Sequence, residues 1–224
     1  MSRDTVLTGV GRADPQRHPS EARLLDYACG SLAGSARLVV GAHLLTCPAC
    51  SRAVGEFERV GGDWLEALDP ALMSPEALPL ALARIDRPSP PAAPAAPRPE
   101  GWLPVPDAVA RASLGRRRRA AGAWIVPVSR GPGAERCYLL GMSAGRGAPA
   151  HGHRAGEMTV VLRGAFCDGD EVYGPGDFCE HDGSIKHAPR ATATGDCVCL
   201  IHTDGPLAAV DWVGRLVFPL LGVG

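Results

Sequence analysis

The sequence predicts a multidomain α plus β protein, a small helical bundle followed by an antiparallel β-barrel or sandwich. Three observations in its 224 residues carry this. Residues up to 86 show apolar side chains at helical spacing, and residues beyond 100 show short apolar runs bounded by glycine. Between them RPSPPAAPAAPRP, residues 87–99, holds six prolines and four alanines; such a stretch favours extended, polyproline-like conformations and builds no core. The chain therefore divides into a helical domain, 1–86, a linker, 87–100, and a β domain, 101–224. A linker without a core of its own predicts separable halves.

In the first half Ser20 is a good N-cap with Glu21 in the first turn, and Leu24, Leu25, Ala28 and Leu32 follow at helical period. Gly34 and Ser35 punctuate before a second apolar run over 38–45. Val54, Phe57, Val60, Trp64 and Leu68 form a third stripe, in which Phe57 and Trp64 are expected in the core. Ser74 and Pro75 open a fourth helix carrying Leu78, Leu82 and Ile85, although Pro79 opposes it. In the second half AWIVPVS, RCYLLGMS, EMTVVLRG, EVYGPGDF and DCVCLIHT have the length and turn signals of strands. Leu207, Val210, Val213 and Val217 predict a final helix over 207–218.

Charged residues make up 21% of the chain and the net charge is −1, so nothing global calls for direct binding of nucleic acid. No apolar run approaches the roughly 18 residues of a spanning helix, and no membrane partner is expected. The start, MSRDTVLTGVGRADPQRH, lacks a signal-peptide layout, so a cytoplasmic protein with reduced thiols is expected. The eight cysteines include a CxxC and a CxC, a distribution that favours metal or thiol chemistry over a disulfide framework.

The stretch HLLTCPAC, residues 43–50, contains the first constellation. His43 and Cys47 lie four apart and share one helical face if the second helix reaches about residue 46. Pro48 suits the first position of the next helix, so Cys47 and Cys50 sit at the junction. Imidazole and thiolate are ligands that zinc prefers, and a structural zinc takes four. The remaining candidates in this half are His18 and Cys29. A bundle of this size has a modest core, and a metal staple there would help to hold it.

His18, then His43, Cys47 and Cys50 as HxxxCxxC, resembles the zinc-binding anti-sigma domain over residues 15–86. That resemblance implies His18 as the fourth zinc ligand. It also implies that the helical domain sequesters an alternative sigma factor of RNA polymerase.

A second constellation lies in GRGAPAHGHRAGEMTVVLRG. His151 and His153 point the same way on an extended chain, and the Glu157 carboxylate can join them. These ligand types serve zinc, iron or manganese. Gly145, His151, His153, Glu157 and Gly164 fit the first cupin motif in full, a resemblance that implies a small jelly-roll barrel of the double-stranded β-helix type. In GDFCEHDGSIKH the second cupin motif places Gly176 in register and His187 at the ligand position. Asp182, Ser184 and Ala191 depart from it, and His181, expected as a charged surface residue, is the competing ligand.

A helical zinc domain, a proline-rich linker and a cupin together resemble the ChrR type of anti-sigma factor across nearly the whole chain. The resemblance implies two metal ions, zinc in the helical half and zinc or another divalent metal in the barrel. It further implies a regulator of extracytoplasmic-function sigma factors that responds to singlet oxygen or organic peroxide, and no catalytic residues. The alternatives are a metal-dependent cupin enzyme, a dioxygenase or isomerase, and a metal-sensing or storage protein. Cys197 and Cys199 alternate on one strand face, where each is read as a small buried hydrophobe. Arg116, Arg117, Arg118 and Arg119 read as a solvated loop.

Overall fold

The computed structural model describes residues 15–32, 34–85, 97–130, 134–153 and 155–223. Residues 1–14, most of the stretch read for a signal, and 86–96, which include most of the proline-rich linker, lie outside the described residues. Helix α1 spans Glu21–Ala28, α2 Gly34–Leu44, α3 Pro48–Glu66 and α4 Ala77–Ile85. Leu32 lies beyond α1, which closes at Cys29 and turns through Gly30. Pro48 occupies the first turn of α3, where its missing N–H has no intrahelical partner to lose. Pro79 sits likewise in the first turn of α4, which is why it does not break that helix.

A short helix not foreseen from the sequence, α5 (Asp107–Ser113), leads into the strands. These are β1 (Arg118–Ala120), β2 (Ala123–Arg130), β3 (Arg136–Met142), β4 (His151–His153), β5 (Glu157–Arg163) and β6 (Phe166–Asp168). Then come β7 (Glu171–Tyr173), β8 (Phe178–His181), β9 (Lys186–His187), β10 (Arg190–Ala191), β11 (Cys197–Thr203) and β12 (Leu207–Ala209). The final helix, α6 (Trp212–Leu221), starts later than its apolar period suggested, because Leu207 pairs in β12 with His153 of β4. Asp211 caps α6 by accepting from the Gly214 N–H, and Gly222, at φ +78°, ends it in a left-handed turn.

The strands pair antiparallel in three sheets, ordered β1-β2-β3-β11-β5-β8, β10-β6-β7 and β12-β4-β9. Alternation along the large sheet sends side chains to two cores. Tyr138, Leu140, Val161, Cys199 and Ile201 face the interior, together with Val217 and Phe218 of α6. Leu139, Val160, Leu162 and Leu200 face the other way, where Val39 and Val40 of α2 meet them. Covering both faces explains why EMTVVLRG and DCVCLIHT read as continuous apolar runs instead of alternating ones.

The helices and the sheet thus share a core, and the expectation of separable halves meets a physical obstacle. A fragment ending at residue 86 would leave Val39 and Val40, each 0% exposed in the whole chain, facing water. A second difference concerns α3. Phe57 packs partly against the shared core, but Trp64, expected there, is 73% exposed. Only Cys50 and Val54 of that helix are buried.

The shared core predicts one cooperative unfolding transition. Helical ellipticity and barrel tertiary signals should melt together, and Leu200→Ala should lower the stability of both by about 3 kcal/mol. Separate transitions, with Leu200→Ala shifting only the barrel, would contradict this.

Candidate metal centres

Each ligand of the first cluster has its own local support. The last turn of α2 carries His43, Cys47 is the N-cap of α3, and Cys50 lies in the first turn of α3. His18 stands on the extended segment before α1. One ligand atom from each of His18, His43, Cys47 and Cys50 lies within 4.8 Å of all the others. His18 Nδ1 is 3.5 Å from both Sγ atoms, and His43 Nε2 is 3.4 Å from Cys50 Sγ. Those separations match the edge of a tetrahedron with zinc-like bond lengths, about 3.5 Å between nitrogen and sulfur. His43 Nδ1 donates to the Gly176 carbonyl at 2.8 Å, which leaves the Nε2 lone pair for a cation. Cys29, the other candidate, is exposed and takes no part.

The second cluster, His151, His153, Glu157 and His187, is gathered by β4, β5 and β9. Its ligand atoms also lie within 4.8 Å of one another. The alternation of β4 puts both of its histidines on one face, and register brings His187 opposite His151. His187 Nε2 lies 3.1 Å from His151 Nε2 and 3.0 Å from His153 Nε2. His151 Nδ1 donates to the Pro149 carbonyl at 2.8 Å, and His187 Nδ1 donates to the Asp168 carboxylate at 2.6 Å. Both Nε2 atoms are then bare lone pairs facing each other, an arrangement that repels unless a cation sits between them.

Electrostatics supports the same fit. Burial pushes the Glu157 carboxyl up to about 8 and the Cys50 thiol up to about 12, the latter helped by Cys47. It holds His151 down to about 4 and His153 down to about 3, and lowers His43 despite the Gly176 bond. The imidazoles are therefore neutral at pH 7 and ready to ligate, while the acid and thiol need a nearby positive charge to ionise. The His153 Nδ1 atom is buried without a hydrogen-bond partner, 3.6 Å from a Glu157 carboxylate oxygen. The donor sets fit divalent cations, and the two-thiolate set fits zinc.

His181 is not the surface residue its register suggested. Its ring lies against that of His187, centroids 4.5 Å apart, and forms a third group with Asp168 and His187. It remains outside the four-ligand cluster. The sequence placed Gly176 in a motif but gave no sign that its carbonyl, with that of Pro149 and the Asp168 carboxylate, orients the ligating histidines. Two of these act through backbone carbonyls and leave no residue-type signal. Beside the second cluster is an apolar cavity of about 50 Å³, bounded by barrel residues and by Val217, Phe218 and Leu221. Cys199 lines it and lies 3.6 Å from Cys197, sulfur to sulfur, within the buried interior core. No described helix is long and apolar enough to cross a membrane.

Residues 95–208 match the family model of the ChrR cupin-like domain. The chain is 35% identical over 210 residues to the anti-sigma-E factor ChrR of Cereibacter sphaeroides, a match that covers 93% of this chain and 99% of that protein. A solved structure, Rhodobacter sphaeroides SigE in complex with the anti-sigma ChrR, is 35% identical with a TM-score of 0.73; the match covers 85% of this chain and 100% of the matched chain. A cupin-like β fold with added helices, matched along nearly the full length of such a regulator, places the chain in the ChrR family of anti-sigma factors, as a regulator and not an enzyme.

Proposed function

We propose that the chain sequesters an alternative sigma factor of the extracytoplasmic-function type in the cytoplasm. An oxidant such as singlet oxygen or an organic hydroperoxide releases that partner. In this reading residues 1–86 grip the sigma factor, 87–100 link, and 101–224 sense. The observation that carries the gripping role is an unpartnered apolar face. Trp64 and Leu65 at the end of α3, with Leu68, Leu72 and Met73 after it, are exposed, and α4 has no buried residue. Large apolar side chains exposed in such number over one stretch of chain are typical of a surface that a partner covers. The relative solved with SigE is a chain of the same family, which supports a sigma factor as that partner.

His18, His43, Cys47 and Cys50 would hold one zinc ion, and His151, His153, Glu157 and His187 a second divalent ion. Such ions supply fixed positive charge that keeps buried thiolate and carboxylate ligands ionised. The imidazoles of the barrel cluster are oxidisable, and so is Cys199 beside them. Loss of one ligand atom there leaves the remaining lone pairs mutually repulsive and favours a rearranged barrel. Release follows only if that rearranged state binds the sigma factor less well.

Three outcomes test this reading. Trp64→Ala should weaken sigma-factor binding about 30-fold, as for a buried aromatic anchor, with helical content unchanged; native affinity would remove the α3–α4 face from the interface. Metal analysis of the full chain should find two ions, with His187→Ala losing one and His181→Ala losing none. Equal losses in the two variants would reassign the fourth barrel ligand. An oxidant should lower the affinity of the native complex about a hundredfold, equivalent to about 3 kcal/mol, and should leave the affinity of His187→Ala unchanged. An equal oxidant response in both would move sensing to Cys47 and Cys50.

A further inference from the structure

Strand β8 is one edge strand of the six-stranded sheet, and with the turn before it lies against ligands of both clusters. The segment that carries His18 runs along its outer edge. Asp177 Oδ1 accepts the backbone N–H groups of Gln16 at 2.7 Å and Arg17 at 3.1 Å, and the Phe178 N–H donates to the Arg17 carbonyl at 3.0 Å. Glu180 accepts from Arg23 Nε at 2.7 Å, on the first turn of α1. The other histidine of the first cluster is fixed from the same place. His43 donates to the Gly176 carbonyl, and its ring meets Phe178 edge-on with centroids 5.8 Å apart. Gly176 has φ +90°, and a Cβ there would lie 2.8 Å from Pro15 Cγ, so this close approach requires glycine.

At its far end β8 enters the second cluster. His181 pairs in register with Glu157, lies ring-to-ring with His187 and is 3.7 Å from the Asp168 carboxylate that orients His187. From Gly176, in the turn before β8, to His181 the backbone can span at most about 17 Å. Both histidine ligands of the helical half thus depend for their position on a barrel strand whose last residue touches the ligands of the other cluster. The helical cluster is built from both halves of the fold.

We propose that β8 couples the two clusters, with Asp177 as a positioning residue for His18, so that lost ligation in the barrel weakens cation binding by the cysteine-histidine cluster. This rests on the two-metal reading above. It adds the route by which a change in the barrel reaches the gripping helices. Because coupling is reciprocal, emptying the helical cluster weakens the barrel cluster by the same factor. Among the described residues the Asp177 carboxylate accepts the backbone N–H groups of Gln16, Arg17 and Gly174, none of them a ligand residue, and acts through the path of the chain that carries His18, with its charge also felt at His43.

Cobalt(II) loaded into the full chain separates the sites, because of the two four-ligand clusters among the described residues the one with Cys47 and Cys50 alone offers thiolates for charge-transfer absorption. That band is followed against a competing chelator in the native chain, Asp177→Ala, Asp177→Asn and His187→Ala. Asp177→Ala should weaken cobalt binding at the cysteine cluster about tenfold, the usual effect of losing an orienting partner, and Asp177→Asn, which keeps an acceptor oxygen, should recover most of it. His187→Ala, which empties the distant barrel cluster, should weaken the same band about fivefold or more. Should Asp177→Ala fail to fold, Asp177→Asn and His187→Ala still decide. Native affinity in His187→Ala overturns the coupling, whatever Asp177 does. A native chain with no thiolate band at all overturns the two-metal reading, and the coupling with it.

Discussion

The structure turns on the burial of groups that cannot stay buried alone. His43, Cys47 and Cys50 sit where one helix hands over to the next, and His151, His153 and Glu157 sit inside the barrel, all nearly closed to water. Burial penalises the ionised acid and thiol, and fixed hydrogen bonds turn bare nitrogen lone pairs toward one another. A cation relieves both penalties at once. Without one, the α2–α3 junction would carry a buried polar cluster with few partners, in a bundle whose own core is small.

That bundle is stable in context because the barrel completes it. One face of the large sheet is covered by α2, and the β7–β8 turn holds the ligand-bearing segment and His43. What the barrel does not cover is equally informative. The apolar residues at the end of α3 are exposed, and α4, rich in leucine, has no buried residue. The helical domain thus has an inner surface that belongs to the fold and an outer surface available to a partner. One strand, β8, lies between the barrel cluster and the α2–α3 junction.

Much of this was legible in the sequence, and the exceptions share a cause. HxxxCxxC and HxHxxxE could be read because ligand spacing reflects helix and strand geometry within one element. His18 lies far upstream with no periodic tie to the cysteines, so spacing alone left it level with Cys29, and the family resemblance separated them. Trp64 was misplaced because an amphipathic stripe looks the same whether its apolar face meets the chain's own core or another protein's. The shared core was missed because a proline-rich linker suggests independence, while the covering of a sheet by α2 is a long-range packing fact. Asp168 and the Gly176 carbonyl left no trace, since a lone aspartate in a turn and a backbone oxygen have no spacing rule. His181 and His187 lie so close in space that register alone could not describe both environments.

The central claim is that the two buried clusters are metal sites of different donor sets in one protein. X-ray absorption at the zinc edge of the full chain, purified without added metal other than zinc, tests it most directly. The account predicts an average of about one sulfur near 2.3 Å and about three nitrogen or oxygen neighbours near 2.0–2.1 Å per zinc, the mean of a two-cysteine, two-histidine site and a three-histidine, one-glutamate site. A spectrum with no sulfur shell, or a folded chain that retains no metal, would contradict it.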